Sequence, residues 1–130
     1  MLSFSIVAIV DDDELVGRSL KRVISSSGYR VEVFGSAEEF LGSDCLNRCN
    51  CLILDVQMPD INGLQLQRQL VTRKFRFPII FITSYSDESS KVQALQAGAV
   101  DYLHKPFSED HLLDAIRRAF GHGIDAVPCA

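Results

Sequence analysis

The short apolar runs of this chain end on, or run a few residues before, side chains that can do chemistry. Ile6 to Val10 leads into Asp11-Asp12-Asp13-Glu14, Cys51 to Leu54 into Asp55, Ile79 to Ile82 into Thr83-Ser84, and the weaker Val100 to Leu103 precedes Lys105-Pro106. If these runs are neighbouring parallel strands, all of these ends open on one crevice. Asp11 and Asp12 then face Asp55, and carboxylates crowded into one cleft repel each other unless a cation sits among them or some are protonated. An all-oxygen donor set of this kind suits Mg²⁺, which takes one or two carboxylates together with water and phosphate oxygens. A strand-end carboxylate beside such an ion is a nucleophile toward phosphorus, and Thr83 and Lys105 could bind the phosphoryl oxygens. Each residue alone has a plainer reading: an Asp as a cap, a Thr as a turn, Lys-Pro as a loop, Asp13 and Glu14 as dipole partners in a first helical turn. Convergence on one rim gives the chemical reading its weight.

The elements that must hold these residues are legible in the hydrophobic pattern. Three runs, Ile6 to Val10, Cys51 to Leu54 and Ile79 to Ile82, are rich in β-branched residues and do not alternate, as expected of strands buried on both faces of a parallel sheet. Val31-Glu32-Val33-Phe34 and Val100-Asp101-Tyr102-Leu103 each carry an acid, which an edge strand tolerates. Between strands lie helix-period segments, with Val16, Leu20, Val23 and Ile24 in the first and Leu112, Leu113, Ile116, Ala119 and Phe120 in the last. Ser36 with Glu39 predicts a capping box, Ser108-Glu109 opens the last helix, and Gly28, Gly98 and Gly121 mark helix ends. The result is a doubly wound (βα)5 α/β fold, a five-stranded parallel sheet in the flavodoxin-like order 2-1-3-4-5, whose ligands bind outside the carboxyl ends of the strands.

Composition narrows the function classes. The chain of 130 residues fits one domain, and 47% hydrophobic residues are enough for a core without disulfides or metal. A net charge of -4 argues against a sequence-independent grip on nucleic acid or anionic lipid. No stretch is apolar enough to span a bilayer and no signal peptide opens the chain, so a soluble, cytoplasmic protein is expected. Cys45, Cys49, Cys51 and Cys129 have neither zinc nor disulfide-framework spacing and read as reduced thiols, Cys51 in a buried strand. His104, His111 and His122 show no ligand spacing and are expected at the surface. Arg73-Lys74-Phe75-Arg76 has the composition of a nucleic-acid contact but reads first as a solvated turn with Phe75 or Phe77 tucked inward.

From Val7 through Phe120 the chain resembles the receiver domains of bacterial two-component response regulators. The resemblance rests on Ile9-Val10-Asp11-Asp12-Asp13, on Leu54-Asp55-Val56-Gln57-Met58-Pro59-Asp60 with Gly63, on Ile82-Thr83-Ser84, and on Ala97-Gly98-Ala99 leading to Lys105-Pro106-Phe107. The separations of 43 residues from Asp12 to Asp55, 28 on to Thr83 and 22 on to Lys105 suit that family. The resemblance implies that Asp55 accepts a phosphoryl group from the phosphohistidine of a sensor histidine kinase. It implies Mg²⁺ ligated by Asp12, Asp55 and the Gln57 backbone carbonyl, with Asp11 acting through water. It further implies Lys105 on the phosphate, a cis Lys105-Pro106 bond, and a switch in which Thr83 swings toward the phosphate and Tyr102 repacks inward. Gln57 and Tyr85 stand where the family varies its rate of dephosphorylation.

Such a domain is no enzyme in the ordinary sense, since it catalyses only its own phosphorylation and dephosphorylation. The stretches Ser36 to Leu41 and Gly98 to Asp101 look most like receivers that precede a helix-turn-helix, which implies transcription regulation in a full-length protein. The surface of helix 4, strand 5 and helix 5 is the expected site of a phosphorylation-dependent homodimer, with no direct nucleic-acid or membrane contact by the domain. Residues 1–121 are read as the receiver and 122–130 as a tail or truncated linker. Three alternatives stand beside this. A haloacid-dehalogenase-like phosphatase would want an acid two residues after the nucleophile, where Gln57 stands. A flavin- or nucleotide-binding module would want phosphate-binding amides where Asp11 to Asp13 stand. A degenerate receiver acting only as a protein-binding module would not need every phosphorylation position filled.

Overall fold

A computed structural model describes residues 5–58, 61–84 and 87–126. Five strands, β1 (Ile6–Val10), β2 (Arg30–Phe34), β3 (Cys51–Asp55), β4 (Ile79–Thr83) and β5 (Asp101–His104), alternate with five helices, α1 (Glu14–Ser26), α2 (Ala37–Leu41), α3 (Gly63–Thr72), α4 (Glu88–Gln96) and α5 (Glu109–Ala126). All strand pairs are parallel, in the predicted order β2-β1-β3-β4-β5. The central strands β1, β3 and β4 are buried at every residue, and β2 and β5 are the more exposed edges.

Successive residues of one strand feed opposite layers, as the two-residue period of a strand requires. Ala8, Val10, Leu52, Leu54 and Phe81 pack with Phe40, Leu66, Leu70 and Ala94 of α2, α3 and α4. Val7, Ile9, Ile53, Ile80 and Ile82 pack with Leu20 and Ile24 of α1 and with Leu112 and Ile116 of α5. Each such fully buried aliphatic side chain contributes roughly 1.5–3 kcal/mol, so the two layers hold the strand ends in fixed register.

Helix ends follow local signals, with instructive departures. Gly28 and Gly98 end α1 and α4 in the left-handed region, at φ 100° and 105°. Gly121 does not act as a stop, because α5 runs through it to Ala126. An interior glycine costs a helix only about 1 kcal/mol, and no left-handed residue appears there to turn the chain. Ser36 Oγ accepts from Glu39 N at 3.1 Å as predicted, but the Glu39 carboxylate accepts from Gly35 N at 2.7 Å, one residue outside the expected capping box. A 3-10 turn, Asp44–Asn47, lies between α2 and β3 and buries Cys45 and Leu46. Cys51 is buried in β3 as expected, and Cys49 is buried as well. Phe75 and Phe77 both pack against the core, and His104 and His111 are exposed.

Candidate functional site at the carboxyl ends of the strands

Register alone brings the predicted residues together. Val10 pairs with Leu54 and Asp55 pairs with Ile82, so Asp11 leaves β1 on one side of Asp55 and Thr83 closes β4 on the other. Asp11, Asp55 and Thr83 are buried polar groups, at 1%, 5% and 0% exposure, while Asp12 faces solvent. Carboxylate oxygens of Asp11, Asp12 and Asp55 lie within 4.8 Å of one another, the one such acidic cluster among the described residues.

The local backbone is fixed by hydrogen bonds. Asp13 N donates to Asp11 Oδ1 at 2.8 Å, and Asp13 in turn caps α1, its Oδ1 accepting from Leu15 N at 3.0 Å. Val56 N donates to Ile82 O at 3.0 Å, and Gln57 N donates to Asp55 Oδ1 at 3.3 Å, which holds the Gln57 peptide against the Asp55 carboxylate. Lys105 N donates to Thr83 O at 2.7 Å, and the Lys105-Pro106 bond is cis. The ammonium it carries sits 3.1 Å from Asp11 Oδ2. Lys105 is thus held by Asp11 in this structure, one carboxylate away from the residue whose phosphoryl group it was expected to meet.

This crowding has an electrostatic consequence. Burial first, then the Asp11 charge, push the Asp55 carboxyl up from 3.8 to about 7, with Asp12 adding to the rise; the Lys105 ammonium and the Gln57 amide oppose it. A cluster that raises one of its own members so far is short of positive charge, and oxygen donors on three sides suit a hard divalent ion.

One further residue sets the depth of the cleft. Gly63 N donates to Val56 O at 2.8 Å, and a Cβ at Gly63 would lie 3.0 Å from Val56 Cα and closer still to the Asp55 carbonyl. Only glycine lets α3 start this close behind β3. Asn62 caps that helix in a full capping box with Gln65, each side chain bonding the other's backbone N–H at 2.9 Å. The spacing Asn-x-x-Gln could have revealed it in the sequence. A cleft of about 560 Å³ opens beside the cluster, lined by Asp12, Gln57, Met58 and Asn62 and, from the far side, by Asp87 and Ser90. Asp87 and Ser90 had no sequence signal beyond Asp87 as the cap of α4.

Tyr102 does not itself line the cleft, but its phenol lies beside Asp87 and Ser90, which do. It is buried at 8% exposure on β5, its ring centroid 6.1 Å from that of Phe81, so the inward position expected to gain population on switching is the one it occupies here. Burial and then the nearby Asp87 carboxylate push its phenol above the usual range. Tyr85, Pro59 and Asp60 lie outside the described residues.

The family model described as the response regulator receiver domain matches residues 7–117. The chain belongs to that family. As a receiver it is 47% identical over 115 residues to the response regulator protein TodT of Pseudomonas putida, covering 88% of this chain and 51% of TodT. It is 40% identical over 120 residues to the transcriptional regulatory protein FixJ of Rhizobium meliloti, covering 92% of this chain and 59% of FixJ. The receiver thus spans about half the length of these curated relatives. Among solved structures, the FixJ-N crystal structure superposes with a TM-score of 0.83 at 40% identity, covering 91% of this chain and 94% of that one. The response regulator StyR superposes at 0.86 with 38% identity, covering 94% of this chain and 62% of that one. Receivers of two-component systems bind Mg²⁺ at such an acidic pocket and are phosphorylated by sensor histidine kinases. The phosphatase, the nucleotide module and the protein-binding module are not favoured. No helix among the described residues is long and apolar enough to cross a membrane.

Proposed function

We propose that this receiver takes a phosphoryl group from a kinase phosphohistidine onto Asp55. The observation that carries the reading is the buried Asp55 carboxylate, clustered with Asp11 and Asp12 and one ion pair away from Lys105. Asp12, Asp55 and the Gln57 carbonyl would hold Mg²⁺ directly, with Asp11 acting through water. When bound, the ion supplies positive charge that keeps Asp55 ionised and offsets the phosphoryl oxygens. An Asp55 oxygen attacks phosphorus, the N–P bond breaks, and its electron pair leaves with the imidazole. Lys105 shifts from Asp11 to the new phosphoryl oxygens, and Thr83, at the end of the neighbouring strand, turns its hydroxyl to the same group. That contact biases Tyr102 and α4, coupling chemistry to the surface of α4, β5 and α5.

The domain works in the cytoplasm on itself alone, and controls transcription through a partner segment of a longer protein, as the name of FixJ suggests. Residues 1–121 form the receiver, and 122–130 a tail or linker whose first residues prolong α5. Incubation with acetyl phosphate and Mg²⁺ should add one phosphoryl mass to the parent chain and none to Asp55→Asn. Equal labelling of both would remove Asp55 from its role.

A further inference from the structure

Charge in this molecule is sorted by end. The carboxyl pole of the sheet gathers Asp11, Asp12, Asp13, Glu14 and Asp55, whereas the opposite pole, where helices return to strands, carries cations on α3 and the turn after it. Arg68, Arg73, Lys74 and Arg76 are all exposed, and no acid occurs anywhere between residues 61 and 86. None of the four forms an ion pair among the described residues. The acids near that pole are engaged elsewhere: Arg48 holds Glu32 at 3.1 Å and Asp44 at 3.0 Å, and Arg118 holds Asp101.

We propose that this surface, the outer face of α3 with the turn that follows it, docks the phosphate backbone of duplex DNA. Side-chain chemistry favours phosphate over protein. Gln65, Arg68, Gln69, Thr72 and Arg73 line one shallow hollow of about 430 Å³. All five can donate hydrogen bonds and none is apolar, which is the vocabulary of backbone contacts, whereas the centre of a protein interface wants aromatic and aliphatic anchors. At 1.5 Å rise per residue, Arg68 and Arg73 lie about 7.5 Å apart along the axis, roughly two nucleotides of one strand.

The turn adds a second observation. Helices α3 and α4 end with the same pair of backbone bonds, Lys74 N to Val71 O with Phe75 N to Leu70 O and Gly98 N to Leu95 O with Ala99 N to Ala94 O, and in α4 the left-handed position is Gly98. In α3 it is Lys74, at φ 67°, where a side chain costs about 1 kcal/mol relative to glycine. A charged side chain thus stands at a backbone position that favours glycine. The net charge of -4, which argued against nucleic acid, does not act at this face. A five-residue strand separates the poles by about 17 Å, beyond the ~8–10 Å over which salt screens charge.

Fluorescence anisotropy of a short labelled duplex of arbitrary sequence, titrated with the 130-residue chain at about 50 mM salt, tests this. The parent should bind in the ~10⁻⁴–10⁻⁶ M range, with affinity falling steeply as salt rises. Arg73→Glu with Arg76→Glu should lose at least tenfold. Lys74→Gly should weaken binding a few fold and lower the salt slope by about one while raising thermal stability, a combination that damage to folding cannot give. Lys21→Ala with Arg22→Ala, on α1, should bind as the parent does. Absence of salt-dependent binding, or full binding by the charge-reversed variant, overturns the proposal. Poly-glutamate bound as tightly as the duplex overturns it in favour of an acidic protein. Either failure leaves the labelling of Asp55 unaffected, since that site lies at the other pole.

Discussion

At the scale of single residues, the carboxylate cluster sets stability and reactivity against each other. An Asp in an unfolded chain titrates near 3.9, whereas Asp55 in the metal-free fold titrates at about 7. Between those values the folded state holds more protons than the unfolded one, so stability falls as pH rises through roughly 4 to 7 and is level above. The stabilising protonated form is complete at the acid end of that window and lost at neutral pH. Asp55→Asn removes the titration and keeps the shape. With a chelator present, the variant should therefore be more stable than the parent at pH 7.5, by about 1–3 kcal/mol and several degrees in Tm, with the gap closing toward pH 4.5. Thermal melts across that range check it. A parent as stable as the variant at every pH would mean that Lys105 already neutralises the cluster. Added Mg²⁺ should stabilise the parent more than the variant, because the ion gains its ligand charge only from the former.

At the scale of elements, the start of α3 decides how the strand-end residues are presented. Gly63→Ala puts a methyl group against the backbone of Asp55 and Val56, neither of which is a flexible side chain able to move aside. The cost should be about 1–3 kcal/mol, the range for overpacking. Mg²⁺ affinity should fall with it, since the clash falls on the Asp55–Val56 peptide, whose displacement moves the Asp55 carboxylate of the proposed metal cluster. Calorimetric titration of the folded variant with Mg²⁺ separates the two effects, and unchanged affinity would show that α3 can retreat as a body. The same element shows where sequence reading reaches its limit. Ile6 to Val10, Cys51 to Leu54 and Ile79 to Ile82 were legible as central strands because burial on both faces leaves an unbroken apolar run. The edge order followed from the acids in β2 and β5, and the site from what stands after each strand. Gly63 was visible only as part of a motif. Its physical role depends on the distance between two backbones far apart in sequence, which no local pattern encodes. Gly121 misled for the complementary reason: glycine permits a helix end without requiring one, and the Tyr29–Phe120 ring stack at 5.2 Å holds α5 in place up to the residue before it.

At the scale of the whole molecule, the cleft and the α4–β5–α5 surface share β4 and β5. Thr83 ends the first of these strands, and Tyr102 sits on the second, opposite Phe81 in register. Outside that pair, α4 buries only Ala94 and leaves Val92 and Leu95 at 41% and 40% exposure. Two exposed apolar side chains on α4, with an ion pair between Asp101 of β5 and Arg118 of α5, give this surface both apolar and charged groups, as an interface between proteins has. A two-fold axis through such a face would place each α4 against its copy and need no other partner. If the proposed phosphoryl contact of Thr83 holds Tyr102 inward and fixes α4 against β5, phosphorylation should favour this pairing. Tyr102 is buried against Phe81, and a phosphorylation-linked change in its position should shift an existing monomer–dimer equilibrium rather than create one. Sedimentation of the chain should show a weak monomer–dimer equilibrium that moves toward dimer with beryllofluoride and Mg²⁺. Val92→Asp with Leu95→Asp should abolish the dimer in both states while leaving acetyl phosphate labelling of Asp55 intact. An unchanged monomer at high concentration with the phosphoryl mimic bound would remove the surface from this role and assign its apolar residues to a different protein.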